Sequence, residues 1–244
     1  MKGDRVPVLD SLDRREQIPE LMDDPGIDPA EHRAALAALA RINRLSFSAD
    51  ILWPPMGKLA RRFPNEMIRV LDIATGGGDL PVRLWQKARR AGLANLAFHG
   101  CDISPTALQN ATENAKRVGA EITFFQHDIL NDPPAGRYDV LMCSLFLHHL
   151  SADEAVIVLR RMKEWAARLV LVNDLERSRL GFMLAWLGCH LLTRSRVVRF
   201  DGPASVRSAF TPREALRLAE RAGLSGTTVG RRWPCRFLLS WSRR

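Results

Sequence analysis

Three acids stand at the ends of short apolar runs: Asp72 in Val70-Leu-Asp-Ile-Ala-Thr-Gly-Gly-Gly-Asp79, Asp102 in Gly100-Cys-Asp-Ile-Ser104, and Asp128 in Gln126-His-Asp-Ile129. Each run reads as a strand, and ligands of open strand–helix sheets bind at the carboxyl ends of the strands. One glycine turn would be weak evidence for a nucleotide. A glycine turn joined by acids at successive strand ends is much harder to reach by accident. The residues just past the turn decide about phosphate. A pyrophosphate needs free N–H groups in the first turn of the next helix. There the chain has Asp79, whose charge repels phosphate, and Pro81, which lacks an N–H and replaces the third glycine of G-x-G-x-x-G.

The pattern therefore disfavours a dinucleotide and suits a nucleoside without phosphate and with a cationic amino-acid end, which Asp72 and Asp79 would welcome. S-adenosylmethionine has that chemistry. Asp102, with Ile103 beside it, is placed to accept the ribose hydroxyls. Asp128 is placed to receive the adenine amino group, and Ile129 to pack on the ring.

These residues need a framework. Runs at Met67–Ile73, Leu96–Cys101, Ile122–Phe125, Tyr138–Ser144 and Leu169–Asn173 alternate with helical segments, which predicts βαβ units and a mostly parallel sheet with helices on both faces. Asp28, Ser151 and Thr211 each precede a Glu by three residues, and Ser104 precedes a proline, so four helix starts are marked. Residues 1–27 form an acidic segment and 28–63 a helical lid, with one helix around Ile51–Arg62. The main domain covers 64–241. Within it, 176–210 is a helical insertion on the substrate side, with an apolar helix near Leu180–Leu192 and a Gly202-Pro203 turn. Two β-like runs around Gly230 would close the sheet as an antiparallel pair.

The chain has 244 residues and a net charge of +9, enough for one full core. Acids dominate the first residues and arginines the last third; this fits a solvated surface as well as an anionic partner. Four scattered cysteines without C-x-x-C indicate neither a disulfide framework nor a metal cluster. With no signal core and no spanning segment the expectation is a cytoplasmic protein, open to peripheral membrane contact.

Leu71-Asp-Ile-Ala-Thr-Gly-Gly-Gly78, Cys101-Asp-Ile-Ser104, His127-Asp-Ile129 and Tyr138-Asp-Val-Leu-Met-Cys-Ser-Leu-Phe-Leu-His-His149 together resemble the class I S-adenosylmethionine-dependent methyltransferases. Within them the chain is similar to the small-molecule group that includes the ubiquinone and menaquinone biosynthesis enzymes. The resemblance implies a Rossmann-like seven-stranded sheet with a reversed last hairpin. It also implies that Gly76 and Gly78 let the backbone approach the cofactor, and that Cys143, Ser144 and Leu145 line its methionine side. Arg44, in a weakly matching stretch with Asn43 and Ser46, would meet the cofactor carboxylate. Ala74 departs from the family, which has glycine there; alanine requires negative φ and a slightly looser loop.

Methyl transfer needs an aligned nucleophile, exclusion of water and, for oxygen, a nearby base. His148, His149 and Asp174 follow strand ends. The resemblance implies that His148 shapes the cofactor loop, which leaves His149 as the preferred base, with Asp174 comparable. Arg199 or Arg207 would stabilise a phenolate or carboxylate. The expected acceptor is a small phenol, quinol or polyketide methylated on oxygen. Methylation on carbon, nucleic-acid methylation and cofactor binding without catalysis are the alternatives. Asn131-Asp-Pro-Pro134 resembles an amino-methylation motif but precedes the fourth strand rather than following it, which argues against nucleic acid. Replacing Asp102 by Ala should weaken S-adenosylmethionine binding by about 1.5–3 kcal/mol, through loss of charge-assisted hydrogen bonds; unchanged affinity in calorimetry would contradict the ribose assignment.

Overall fold

Apolar residues spaced for two faces at once give the central strands: Ile68, Val70 and Leu71, and Val140, Leu141 and Met142, are all inaccessible to solvent. The structure, a computed structural model, describes residues 12–23, 26–28, 35, 47–133 and 136–243. Its sheet is built from β1 (Ile68–Ile73), β2 (Leu96–Asp102), β3 (Ile122–Gln126), β4 (Tyr138–Ser144), β5 (Ala166–Leu175), β6 (Thr228–Arg232) and β7 (Arg236–Ser242). Their spatial order is β3-β2-β1-β4-β5-β7-β6. The first five strands are parallel, and β7 runs antiparallel to both β5 and β6. This is the expected seven-stranded, mostly parallel sheet.

Helices cover both faces. On one, Leu52 and Met56 of α1 (Ser48–Arg62) and Leu84 of α2 (Asp79–Arg90) pack on Val70, Phe98, Val140 and Leu171. On the other, Leu159 and Met162 of α4 (Ala152–Trp165) and Leu218 of α7 (Pro212–Arg221) pack on Leu71, Leu141, Val170 and Phe237. Between α2 and α4 in the chain lies α3 (Pro105–Arg117), and between β5 and α7 lie α5 (Arg179–Leu192) and α6 (Arg196–Ser208).

The helix starts at Ser104, Ser151 and Thr211 form as their sequences predict, the last two as reciprocal capping boxes with Glu154 and Glu214. Of the helix expected to open at Asp28, only Asp28 and the helical Ala35 are among the described residues, and Asn43, Arg44 and Ser46 lie outside them. Two expectations are corrected. Gly202 and Pro203 are not a turn but lie inside α6. A Cβ at Gly202 would sit 2.3 Å from the Cys189 sulfur, so glycine serves the close approach of α6 to α5. The hairpin reverses at Trp233–Cys235, leaving Gly230 within β6. The apolar helix expected near Leu180–Leu192 forms as α5, with Phe182 and Cys189 packed inward and Leu180, Met183, Leu187 and Leu191 exposed. Among the described residues no helix is long and apolar enough to cross a membrane.

A strap formed by residues 12–23 crosses the carboxyl edge of the sheet and is fastened to α6 and to the loop after β4. Arg177, just past β5, fixes its start. The buried guanidinium donates from Nε to the Leu12 carbonyl (3.0 Å), from Nη1 to the Ala209 carbonyl (2.7 Å), and from Nη1 and Nη2 to the two Glu214 oxygens (2.9 and 2.8 Å). Replacement of Arg177 by Leu strands these acceptors, and the expected loss is about 3–5 kcal/mol of stability. Thermal or urea unfolding checks this; a variant as stable as the parent would refute the account.

Candidate functional site

The glycine turn is laced to the neighbouring strand by its own backbone. Thr75 N donates to the Cys101 carbonyl (2.9 Å) and Gly76 N to Asp102 Oδ2 (2.8 Å), while Asp102 Oδ1 accepts from Ser104 N (2.9 Å). Gly78 then starts α2 at φ 72°, where a Cβ would meet the Ala111 Cβ at 2.8 Å and Phe124 at 3.0 Å. Ala74 has φ 53°. This corrects the expectation of negative φ: the bonds to β2 fix the turn's path, and the alanine adopts a left-handed conformation at a cost of about 1–2 kcal/mol. The loop is wound as a glycine there would wind it.

Asp72 is buried beneath the turn, where burial raises its pKa to about 7 although Thr75 Oγ1 donates to it at 2.8 Å. Asp128 is held by Asn131 Nδ2 (2.7 Å) and Leu130 N (2.8 Å), and these bonds, the Asn131 side chain first, lower its pKa. Asp102, Ile103, Asp128 and Ile129 line one end of a cavity of about 1290 Å³. Small-ligand pockets are usually about 300–1,000 Å³, so this one has room for a nucleoside and a second molecule. It runs past Ala74, Gly76 and Ser144 to His148 and His149, and α5 and α6 roof it with Leu184, Gly188, Gly202 and Ser205.

Cys143 is corrected. Strand alternation turns its side chain into the core against α4 and α7, away from the cavity wall. Ser144 and Leu145 do line the cavity, Leu145 at φ 57° with its N–H on the Asn173 carbonyl. On the same face Asn173 Nδ2 donates to Ser144 Oγ (2.8 Å) and Ser48 Oγ (3.1 Å), and Arg236 Nη1 lies 3.4 Å from Ser48 Oγ. Arg236 is buried on the cavity wall with no partner for Nε among the described residues. Burial lowers its pKa to about 10. Sequence reasoning missed it for want of any local signal, since it is one arginine in an arginine-rich stretch.

At the far end His148 is clamped. Its Nδ1 is 2.7 Å from Asp174 Oδ1, its backbone N–H donates to Asp174 Oδ2 (3.2 Å), and its Nε2 faces Glu20 Oε1 at 3.7 Å. Burial alone would lower the imidazole pKa, but the two carboxylates outweigh it and raise it to about 9. Asp174, which burial would raise, is held below the usual carboxylate range by His148. Near neutral pH His148 is thus already protonated and Asp174 is engaged by it, which withdraws both as resting bases. His149 is 31% exposed, with Nε2 4.0 Å from Glu20 Oε1. Arg199 and Arg207 are also corrected: they lie off the cavity, Arg199 on the Thr193 and His190 carbonyls and Arg207 paired with Glu16, because α6 presents Gly202, Ser205 and Val206 inward instead.

The chain has relatives in sequence and neighbours in fold among known proteins. A family profile described as a methyltransferase domain matches residues 70–168. The chain is 32% identical over 137 residues to a demethylmenaquinone methyltransferase of Thermus thermophilus, covering 54% of this chain and 59% of that protein. It is 28% identical over 202 residues to a ubiquinone biosynthesis O-methyltransferase of Methylococcus capsulatus, covering 76% and 81%. Against release factor glutamine methyltransferases of Bacillus it spans only about a quarter of their length. Among solved structures, the plantazolicin methyltransferase BpumL shares the fold at TM-score 0.64 and 15% identity, over 88% of this chain and 90% of that one.

The His148 clamp has a pH signature. A group whose folded pKa is raised contributes fully below its unfolded value, here 6.5, and loses that contribution as pH rises through about 9. Asp174 and Glu20 are both held low, so their contribution is lost only toward acid. The titratable and charged groups facing the clamp are Glu20, His149, Asp174, and Arg15 and Arg236 beyond Asp174. Between pH 6.5 and 9.5 the wild-type Tm should fall by several degrees more than that of His148→Gln; parallel Tm profiles would refute the clamp.

Proposed function

We propose that this chain, which carries a class I S-adenosylmethionine-dependent methyltransferase domain, moves the methyl group of that cofactor onto an oxygen of a small, largely apolar acceptor. The observation that carries the reading is one continuous cavity, with the glycine turn and strand-end acids at one end and a polar cluster under an apolar roof at the other. The residues present suit the cofactor. Asp79 and Pro81 in the first turn of α2 leave no place for a pyrophosphate, while acids line the nucleoside end.

In this reading Asp102 holds the ribose with Ile103 alongside, and Ile129 and Asp128 hold the adenine. Asp128 serves mainly as the fastener of its own turn. Asp72, Ala74, Gly76 and Ser144 surround the amino-acid end, with Gly78 behind them against Ala111 and Phe124 rather than on the cavity wall, and a cation close to Asp72 favours its ionised form. Arg236 and Ser48 take the carboxylate, the partner that the orphaned Nε of Arg236 calls for; Arg44 lies outside the described residues. When bound, the cofactor supplies an electrophilic methyl on a sulfonium. The chain aligns the acceptor oxygen with that carbon and keeps water out beneath α5 and α6. His149, open to the cavity, contacts the acceptor.

The large roof, with Leu184 and Ala185 of α5 facing the cavity, favours a phenol, quinol or polyketide over a highly charged substrate. A ring carbon of a quinol is the second reading, favoured by the demethylmenaquinone relative. Both are tested by incubating the protein with methyl-labelled S-adenosylmethionine and a series of phenols and quinols. An O-methyl product identified by mass spectrometry and NMR is expected. A ring-methylated product moves the assignment to carbon, and failure to bind S-adenosylmethionine in calorimetry overturns both.

A further inference from the structure

Glu20 has no counterpart in any strand-end motif, yet it reaches the acceptor end of the cavity. It rides on the strap of residues 12–23, and the strap is fixed on both sides of it. Before it, Arg15 donates from Nη2 to the His148 and Leu150 carbonyls (3.0 and 2.5 Å) and from Nε to the Ser208 carbonyl (2.5 Å), and Gln17 donates to the His149 carbonyl (2.8 Å). After it, the Leu21 and Met22 N–H groups donate to the two Asp201 oxygens (2.8 and 3.1 Å). The Glu20 carboxylate receives the Ser205 hydroxyl at Oε1. Its side chain is only 10% exposed, and it lines the cavity together with His148 and His149.

The other carboxylates around the cavity are committed elsewhere. Asp72 is bonded by the Thr75 hydroxyl beneath the glycine turn, and Asp102 and Asp128 belong to the nucleoside end and to the backbone N–H groups they accept. Asp79, at the start of α2, and Glu113, on α3, lie on that side as well. Asp174 spends both oxygens on His148 and Leu175 N and is absent from the cavity wall. Among the described residues Glu20 is therefore the carboxylate available to an acceptor.

We propose that Glu20 binds the acceptor hydroxyl and takes its proton as the methyl arrives. The inference rests on the methyl transfer proposed above. The acceptor oxygen forms its bond to the methyl carbon while the sulfur–carbon bond breaks and that electron pair stays on sulfur. The O–H pair returns to oxygen, and the proton passes to Glu20 and then to water at the cavity mouth. Burial would raise the Glu20 pKa, but His148 and His149 outweigh it and keep the group ionised. A carboxylate so stabilised is a weak base toward a resting phenol. It suffices in a concerted step, because bonding to the methyl makes the hydroxyl oxygen strongly acidic. His148, held as a cation, keeps the carboxylate charged between turnovers and so acts as a positioning residue.

Two acceptors of different acidity test this: an alkylphenol, neutral at pH 7.5, and a nitrophenol already ionised there. With Glu20→Gln, kcat for the alkylphenol should fall about 100-fold or more, kcat for the nitrophenol by less than about five-fold, and S-adenosylmethionine affinity within two-fold of wild type. Equal falls for both acceptors, or no fall for the alkylphenol, overturn the role of Glu20. Should Glu20→Gln disturb the strap, Glu20→Asp keeps the charge on a shorter stem and should show the same split at about ten-fold, with an equal effect on both acceptors again overturning it. Wild type in the same assay separates the two levels: a wild type that methylates neither phenol overturns the proposed O-methylation and this role with it, whereas an active wild type confines any failure to Glu20.

Discussion

Reversal of strand order between β1 and β4 is the constraint on which the site depends. β1 feeds α2 onto one face of the sheet and β4 feeds α4 onto the other, so the loops after these two strands diverge and leave a crevice at the carboxyl edge. Everything with a chemical role is arranged around that gap. The glycine turn leaves β1 on one side of it, the loop with Ser144 and Leu145 leaves β4 on the other, and β5 brings Asn173 and Asp174 alongside. No side chain has to reach far, because the backbone has already brought the strand ends together.

Two fully buried aspartates at this edge show how surroundings set charge. Asp72 has a neutral hydroxyl, Thr75, as its hydrogen-bonding partner, and burial pushes its pKa up to about 7. Asp174 has an imidazolium and stays ionised. The same residue type, equally hidden, is thus left ready to respond to an incoming cation in one place and is permanently spent on an internal one in the other. Desolvation weighs on both, and the partner decides the outcome.

The parts of this arrangement legible in the sequence are those written locally. Strand ends announce themselves through apolar runs stopped by Asp72, Asp102 and Asp128, and capping boxes through Ser151 and Thr211 with their glutamates. The hidden parts depend on distance along the chain or on packing. Glu20 meets His148 across more than a hundred residues, so no spacing connects them, and it looks like one more acid in an acidic segment. Arg236 was concealed among arginines that face water. Gly202-Pro203 has the letters of a turn, but the need of α5 and α6 to touch at Cys189 overrode turn chemistry. At Ala74 the local preference of alanine for negative φ is overridden by the bonds that tie Thr75 and Gly76 to β2.

The strap of residues 12–23 and the glycine turn meet in one cavity yet are anchored separately: the strap on Asp201, Ser205, Ser208 and the turn after β4, the glycine turn on β2. Substitutions accumulating in the strap, or in α5 and α6 above it, would reshape the chamber without disturbing the glycine turn. Descendants of such a chain could diverge in what the far end of the cavity holds while the glycine-turn end stays unchanged, as a tool keeps its handle when the bit is exchanged.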